Sequence, residues 1–140
     1  MNILIAENNQ EYRNVLAQLL QTNSHKVFRA SDGLEAYRLL HYLEVDLVVS
    51  DIAMPGLSGD GLHDKVRANP NLQNIPFIYI SGYPQLRGAV KIENHQLDFC
   101  LSKLAPIQEL IDLIGDVGVR LKREKVKTNE PIPTNTAHAA

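Results

Sequence analysis

Residues 47–59 read Leu47-Val48-Val49-Ser50-Asp51-Ile52-Ala53-Met54-Pro55-Gly56-Leu57-Ser58-Gly59. Three consecutive apolar residues, two of them β-branched, suit a strand buried on both faces. An aspartate follows the run, Pro55-Gly56 marks a turn, and Ser58 stands where it can cap a helix. A buried strand that carries a carboxylate to its end and passes through a turn into a helix is one βα unit of an α/β sheet.

The same alternation recurs on both sides of this unit. Ile3-Leu4-Ile5-Ala6, Lys26-Val27-Phe28, Phe77-Ile78-Tyr79-Ile80 and Phe99-Cys100-Leu101 are further short apolar runs. Between them the spacing predicts a helix over 11–21, with Val15, Leu16, Leu19 and Leu20 on one face. A second covers 32–43, with Ser31 or Asp32 as its cap and Leu34, Tyr37, Leu40 and Leu43 as its stripe. The Ser58 helix carries Leu62 and Val66 and must stop near Asn69-Pro70. Residues 84–93 are expected to form a fourth helix, on a short apolar face of Leu86, Ala89 and Val90. Pro106 suits the first position of a last helix along Leu110, Leu113 or Ile114, Val117 and Leu121, weakened locally by Gly115 and Gly118. Five strands alternating with five helices predict a doubly wound parallel sheet of the α/β class, with right-handed crossovers.

The 140 residues suffice for one core of ordinary size. Apolar residues make up 44% and charged residues 21%, the balance of a globular chain in water. A formal net charge of -2 supplies no bulk attraction to nucleic acid or to an anionic membrane. The one cysteine, Cys100, excludes an internal disulfide and a Cys-based zinc site. No signal-peptide pattern opens the sequence and no apolar run approaches the ~20 residues of a membrane span. The expectation is a cytoplasmic protein without membrane or direct nucleic-acid partners.

In a parallel sheet, residues just after each strand emerge on one edge, where ligands bind. Here these are Glu7, Asn8 and Asn9; Asp51; Ser81; and Ser102 with Lys103. Glu7 and Asp51 are suited to share a hard cation such as Mg2+, which prefers oxygen ligands. Asp51 is also a carboxylate nucleophile for a phosphoryl group. Lys103 and the Ser81 hydroxyl suit the oxygens of that group. Each residue has an ordinary alternative role: turn or cap for Asp51, helix start for Glu7 and Asn8, turn for Ser81-Gly82, solvated charge for Lys103. Four such residues ending four different strands make joint coincidence the weaker explanation.

These residues also resemble the receiver domain of bacterial two-component response regulators. The segment 48–59 is similar to the family's phosphoacceptor loop, Ile75 to Gly82 to its fourth strand with a hydroxyl residue, Asp98 to Lys103 to its fifth strand with a lysine, and Ala30 to Ala36 to the start of its second helix. The resemblance covers about residues 1–122 and implies a flavodoxin-like (βα)5 domain with strand order 2-1-3-4-5. Residues 123–140 are then expected to form a flexible tail or linker, polar and Pro-containing toward its end. It further implies that Asp51 accepts a phosphoryl group from a sensor histidine kinase or phosphotransfer protein. Mg2+ would be held by Glu7, Asn8, Asp51 and the backbone carbonyl of Ala53. Ser81 and Lys103 would touch the phosphoryl group, with Ser81 and the residue at Cys100 coupling it to a surface made of helix four, strand five and helix five. That surface would meet an output domain, a partner protein or a second copy. Such a domain is regulatory rather than an enzyme.

Three positions depart from the family pattern. Asn8 replaces a second acid, removing a negative charge from the expected metal site. Leu104 stands where a proline follows the lysine, and Cys100 where a switch aromatic is usual. These departures favour a second reading, a pseudo-receiver that serves as an interaction module without phosphorylation. A small hydrolase or phosphatase using Asp51 is the third. Neither a Walker loop nor a G-x-S-x-G elbow nor H-E-x-x-H supports it.

Overall fold

The structure, a computed structural model, describes residues 1–129. The apolar runs form five strands: β1 (Asn2–Ala6), β2 (Lys26–Ala30), β3 (Leu47–Asp51), β4 (Phe77–Ser81) and β5 (Asp98–Ser102). All neighbouring pairs are parallel, in the order β2-β1-β3-β4-β5. Every residue of β3 and β4 is buried, as continuous rather than alternating apolar runs require.

Side chains alternate across the pleat and divide the core in two. Leu4, Val48, Phe77 and Tyr79 face one layer, where they meet Ala36 and Leu40 of α2 (Gly33–Leu40) and Leu62 and Val66 of α3 (Gly59–Ala68). Ile3, Ile5, Leu47, Val49, Ile78 and Ile80 face the other. They meet Leu16, Ala17 and Leu20 of α1 (Gln10–Thr22) and Leu110, Ile114 and Val117 of α5 (Ile107–Asn129). Each fully buried aliphatic side chain contributes about 1.5–3 kcal/mol relative to exposure.

The helix starts obey local chemistry. Asn9, Asp32 and Ser58 each accept a backbone N–H of the first turn, from Tyr12, Glu35 and Gly61 respectively. Glu35 reaches back to the Ser31 N–H and hydroxyl, which stiffens the entrance to α2. The third helix ends at Ala68, just before Asn69-Pro70. No helix is long and apolar enough to cross a membrane among the described residues.

Two elements differ in length from expectation. The fourth helix, α4, is only Pro84–Arg87, with Gly88 as its C-cap. Beyond it, Val90 and Ile92 both lean on the core, an i, i+2 spacing that belongs to extended chain. The fifth helix runs through the expected boundary at 122 as far as Asn129. Lys122 to Lys127 are mostly good helix formers, and cations favour a helix C-terminus, so a polar segment continues the helix. Residues 130–140 of the expected tail lie outside the described residues.

Candidate functional site

The sheet register sets the site. Ala6 of β1 pairs with Ser50 of β3, so the next residues, Glu7 and Asp51, leave adjacent strands side by side. Ser81 of β4 pairs with Ser102 of β5, and the Lys103 N–H donates to the Ser81 carbonyl at 2.9 Å. From there the Lys103 side chain spans the strand ends. Its Nζ lies 2.8 Å from Glu7 Oε2 and 3.1 Å from Asp51 Oδ2. It donates to Glu7 Oε1 at 2.9 Å. Carboxylates and ammonium from three strands thus converge on one point.

Burial gives this cluster its electrostatic character. Glu7 is 1% exposed and Asp51 8%. Desolvation pushes the Glu7 carboxyl above its ordinary pKa; Lys103 opposes the shift and the Asp51 charge adds to it. For Lys103, burial disfavours the ammonium, but hydrogen bonds and attraction from Glu7 and Asp51 outweigh it and hold its pKa above the usual lysine value. The ammonium also sits 4.6 Å from the centre of the Tyr12 ring, over its face.

The loop after β3 is shaped by two glycines. Gly56 adopts φ +73, a conformation costly for other residues. Gly59 donates its N–H to the Ile52 carbonyl at 2.9 Å, and a Cβ there would collide with the Asp51 carbonyl oxygen. Asp51 Oδ1 faces the Ala53 N–H at 3.4 Å, a long contact.

The remaining predicted residues are placed less uniformly. Asn8 is exposed, next to the helix-capping Asn9. Ser81 is fully buried, and its hydroxyl accepts the Tyr83 N–H at 3.0 Å. Leu104 is 78% exposed beside the site. Cys100 is half-buried and lies opposite Tyr79 in the β4–β5 ladder. An aromatic ring therefore stands next to the position that lacks one.

A scan of known families matches the response regulator receiver domain over residues 3–115. The chain belongs to this family. It is a receiver domain of two-component signalling. The two-component response regulator-like protein APRR3 of Arabidopsis thaliana is 32% identical over 107 residues, 74% of this chain. The chain spans 22% of that protein's length. The receiver domain of the hybrid histidine kinase CckA has a similar structure, with TM-score 0.69 and 29% identity, covering 84% of this chain and 98% of CckA's solved chain. Response regulator TrrA of Thermotoga maritima, solved in complex with Mg2+–BeF, has TM-score 0.73 at 24% identity, covering 83% and 97% of the two chains. Receiver domains of this kind thus occur in response regulators and in histidine kinases.

Two features of this receiver domain escape the sequence pattern. Tyr12 underlies Lys103, yet in the sequence it is only an α1 residue after an acidic cluster. Asp98, read simply as the start of a strand, is 2% exposed and binds His63 Nε2 at 2.8 Å and Arg67 Nη2 at 2.6 Å. Its other oxygen accepts the N–H groups of Glu93 and Asn94, each at 3.2 Å. No spacing rule connects residues 63, 67 and 98.

Proposed function

We propose that Asp51 accepts a phosphoryl group from a sensor histidine kinase or a phosphotransfer protein. The observation that carries this reading is Lys103 Nζ held between Glu7 and Asp51, which puts a fixed positive charge beside a partly accessible carboxylate. An Asp51 oxygen attacks phosphorus, the bond from phosphorus to the donor nitrogen breaks, and the electron pair leaves with the donor imidazole. Lys103 stabilises charge on the transferring group, and its raised pKa keeps it protonated at neutral pH. Ser81 reaches the same group only after its hydroxyl leaves the Tyr83 backbone. Such a change, coupled through β5, alters the α4–β5–α5 surface offered to an output partner.

The donor set fits Mg2+. Glu7, Asn8, Asp51 and the Ala53 carbonyl offer the oxygen ligands that a hard cation prefers, and an entering ion would compete with the Lys103 ammonium, which lies 2.8 Å from Glu7 Oε2 and 3.1 Å from Asp51 Oδ2. With Asn8 in place of an acid, affinity is lower than a three-acid site provides. When bound, the ion neutralises negative charge on the carboxylates and the phosphoryl oxygens.

Acetyl phosphate labelling read by intact mass tests the proposal. With Mg2+ present the chain should gain one phosphoryl group, and Asp51→Asn should gain none. A wild-type chain that never labels, or a variant that labels equally, rejects the reading. Asn8 and Cys100 favour a second one, a phosphorylation-independent interaction module. It requires that Mg2+ titration and labelling both fail on folded protein.

A further inference from the structure

The ammonium of Lys103 has three donors, and two of them find carboxylates, Glu7 Oε1 at 2.9 Å and Asp51 Oδ2 at 3.1 Å. The face of the Tyr12 ring, its centre 4.6 Å from Nζ, is the third partner. Local bonds aim that ring. Tyr12 stands in the first turn of α1, where its N–H donates to the Asn9 side chain at 2.9 Å, and the Asn9 N–H donates to Glu7 Oε1 at 3.1 Å. Glu7, Asn9, Tyr12 and Lys103 thus form a closed circuit of contacts at the strand ends. Burial is the largest influence on the Tyr12 phenol and pushes its pKa up, so the ring stays neutral and keeps its electron-rich face. A cavity of about 300 Å³ opens beside it between α1 and α5, with Leu19, Leu101, Pro106 and Ile107 in its walls. On that side the ring meets open space rather than close-packed core, so packing alone does not account for its place.

The geometry points to Tyr12 as a positioning residue for phosphoryl transfer, its ring holding the Lys103 ammonium at Asp51 while the carboxylates change partners. This rests on the reading of Asp51 as the phosphoacceptor. Both charged partners of Lys103 are drawn on during the reaction. An Asp51 oxygen forms the bond to phosphorus, and a cation at the site competes for Glu7. The ring takes part in neither event and remains beside the ammonium throughout. Without it the flexible Lys103 side chain, 17% exposed, is free to turn its charge to water. A third carboxylate in the same place would also hold the ammonium, but its negative charge would repel the incoming phosphoryl group. A neutral ring attracts the cation without adding that charge.

Tyr12→Phe and Tyr12→Leu in the full chain test the assignment, since the first keeps the ring and the second keeps apolar bulk without it. Carbon–proton NMR of the Lys103 ε-methylene, assigned by its loss in Lys103→Arg, reports the contact directly. Its protons should be shifted upfield by the ring in wild type and in Tyr12→Phe, and should return to the ordinary lysine position in Tyr12→Leu. Acetyl phosphate labelling with Mg2+, timed by intact mass, reports the consequence. Tyr12→Phe should label within about twofold of the wild-type rate. Tyr12→Leu should label about 3- to 10-fold more slowly, the range expected for one partly desolvated contact between cation and ring. Circular dichroism melts check that both variants are folded at the assay temperature. An unshifted ε-methylene in wild type overturns the assignment. So does a Tyr12→Leu that labels at the wild-type rate, or a Tyr12→Phe as slow as Tyr12→Leu. A wild type that never labels rejects the phosphoacceptor reading and the role in transfer with it, whereas the methylene shift decides separately whether the ring holds the ammonium.

Discussion

Lys103 shows how much one side chain depends on its surroundings. Burial alone would lower its pKa, yet two carboxylates within 3.1 Å reverse the sign. The same geometry explains why Asn8 matters. Glu7 and Asp51 already share one ammonium, so the site has little spare negative charge for a divalent ion. Asn8→Asp restores an acid at an exposed position and should tighten Mg2+ binding about tenfold, the effect of one more charged ligand. A Mg2+ titration followed by chemical shifts measures it; unchanged affinity would remove Asn8 from the metal site.

At the scale of elements, the β3–α3 connection is the most constrained. Gly59 opens α3 directly against the backbone of Asp51, so the helix start and the acceptor carboxylate move together. Gly59→Ala forces that backbone apart and should destabilise the domain by about 1–3 kcal/mol, the usual cost of overpacking. Gly82→Ala, with nothing within 4 Å of the added carbon, is the matched control and should stay within about 0.5 kcal/mol. Urea melts compare the two, and equal midpoints would contradict the packing argument. The short α4 and long α5 carry a related lesson. A helix needs a continuous apolar stripe to pack, which α4 lacks beyond Gly88, but it extends past the core on propensity alone, as α5 does.

For the molecule as a whole, two buried carboxyls set opposing responses to acid. The folded-state pKa of Glu7 is raised above 4.5 by burial, so lowering the pH through that raised value toward 4.5 relieves a buried charge and favours the fold. Burial acts on Asp98 in the same sense, but hydrogen bonds from Arg67 and His63 outweigh it and depress its pKa below 3.8. The stability Asp98 contributes is therefore complete above 3.8 and is lost as the pH falls through its lower folded value. Asp98→Asn should cost about 3–5 kcal/mol at neutral pH, by leaving Arg67 and His63 without their anion, and should flatten the acid limb below 3.8. Glu7→Gln should flatten only the region above 4.5. Thermal melts across this range decide; identical pH profiles for wild type and both variants would dismiss these assignments.

The parallel strands, their polar ends and the helix caps at Asp32 and Ser58 are legible in the chain, because burial and capping are local requirements that leave a local pattern. From that pattern alone, Glu7, Asp51 and Lys103 had to emerge on one edge. Only the tertiary structure decided that Lys103 reaches across 96 positions to Glu7 and 52 to Asp51, over Tyr12. The same holds for Arg67, which neutralises the aspartate at the start of β5, and for His63, which hydrogen-bonds to it. Such contacts depend on strand register and on the reach of flexible side chains, and neither leaves a periodicity along the sequence.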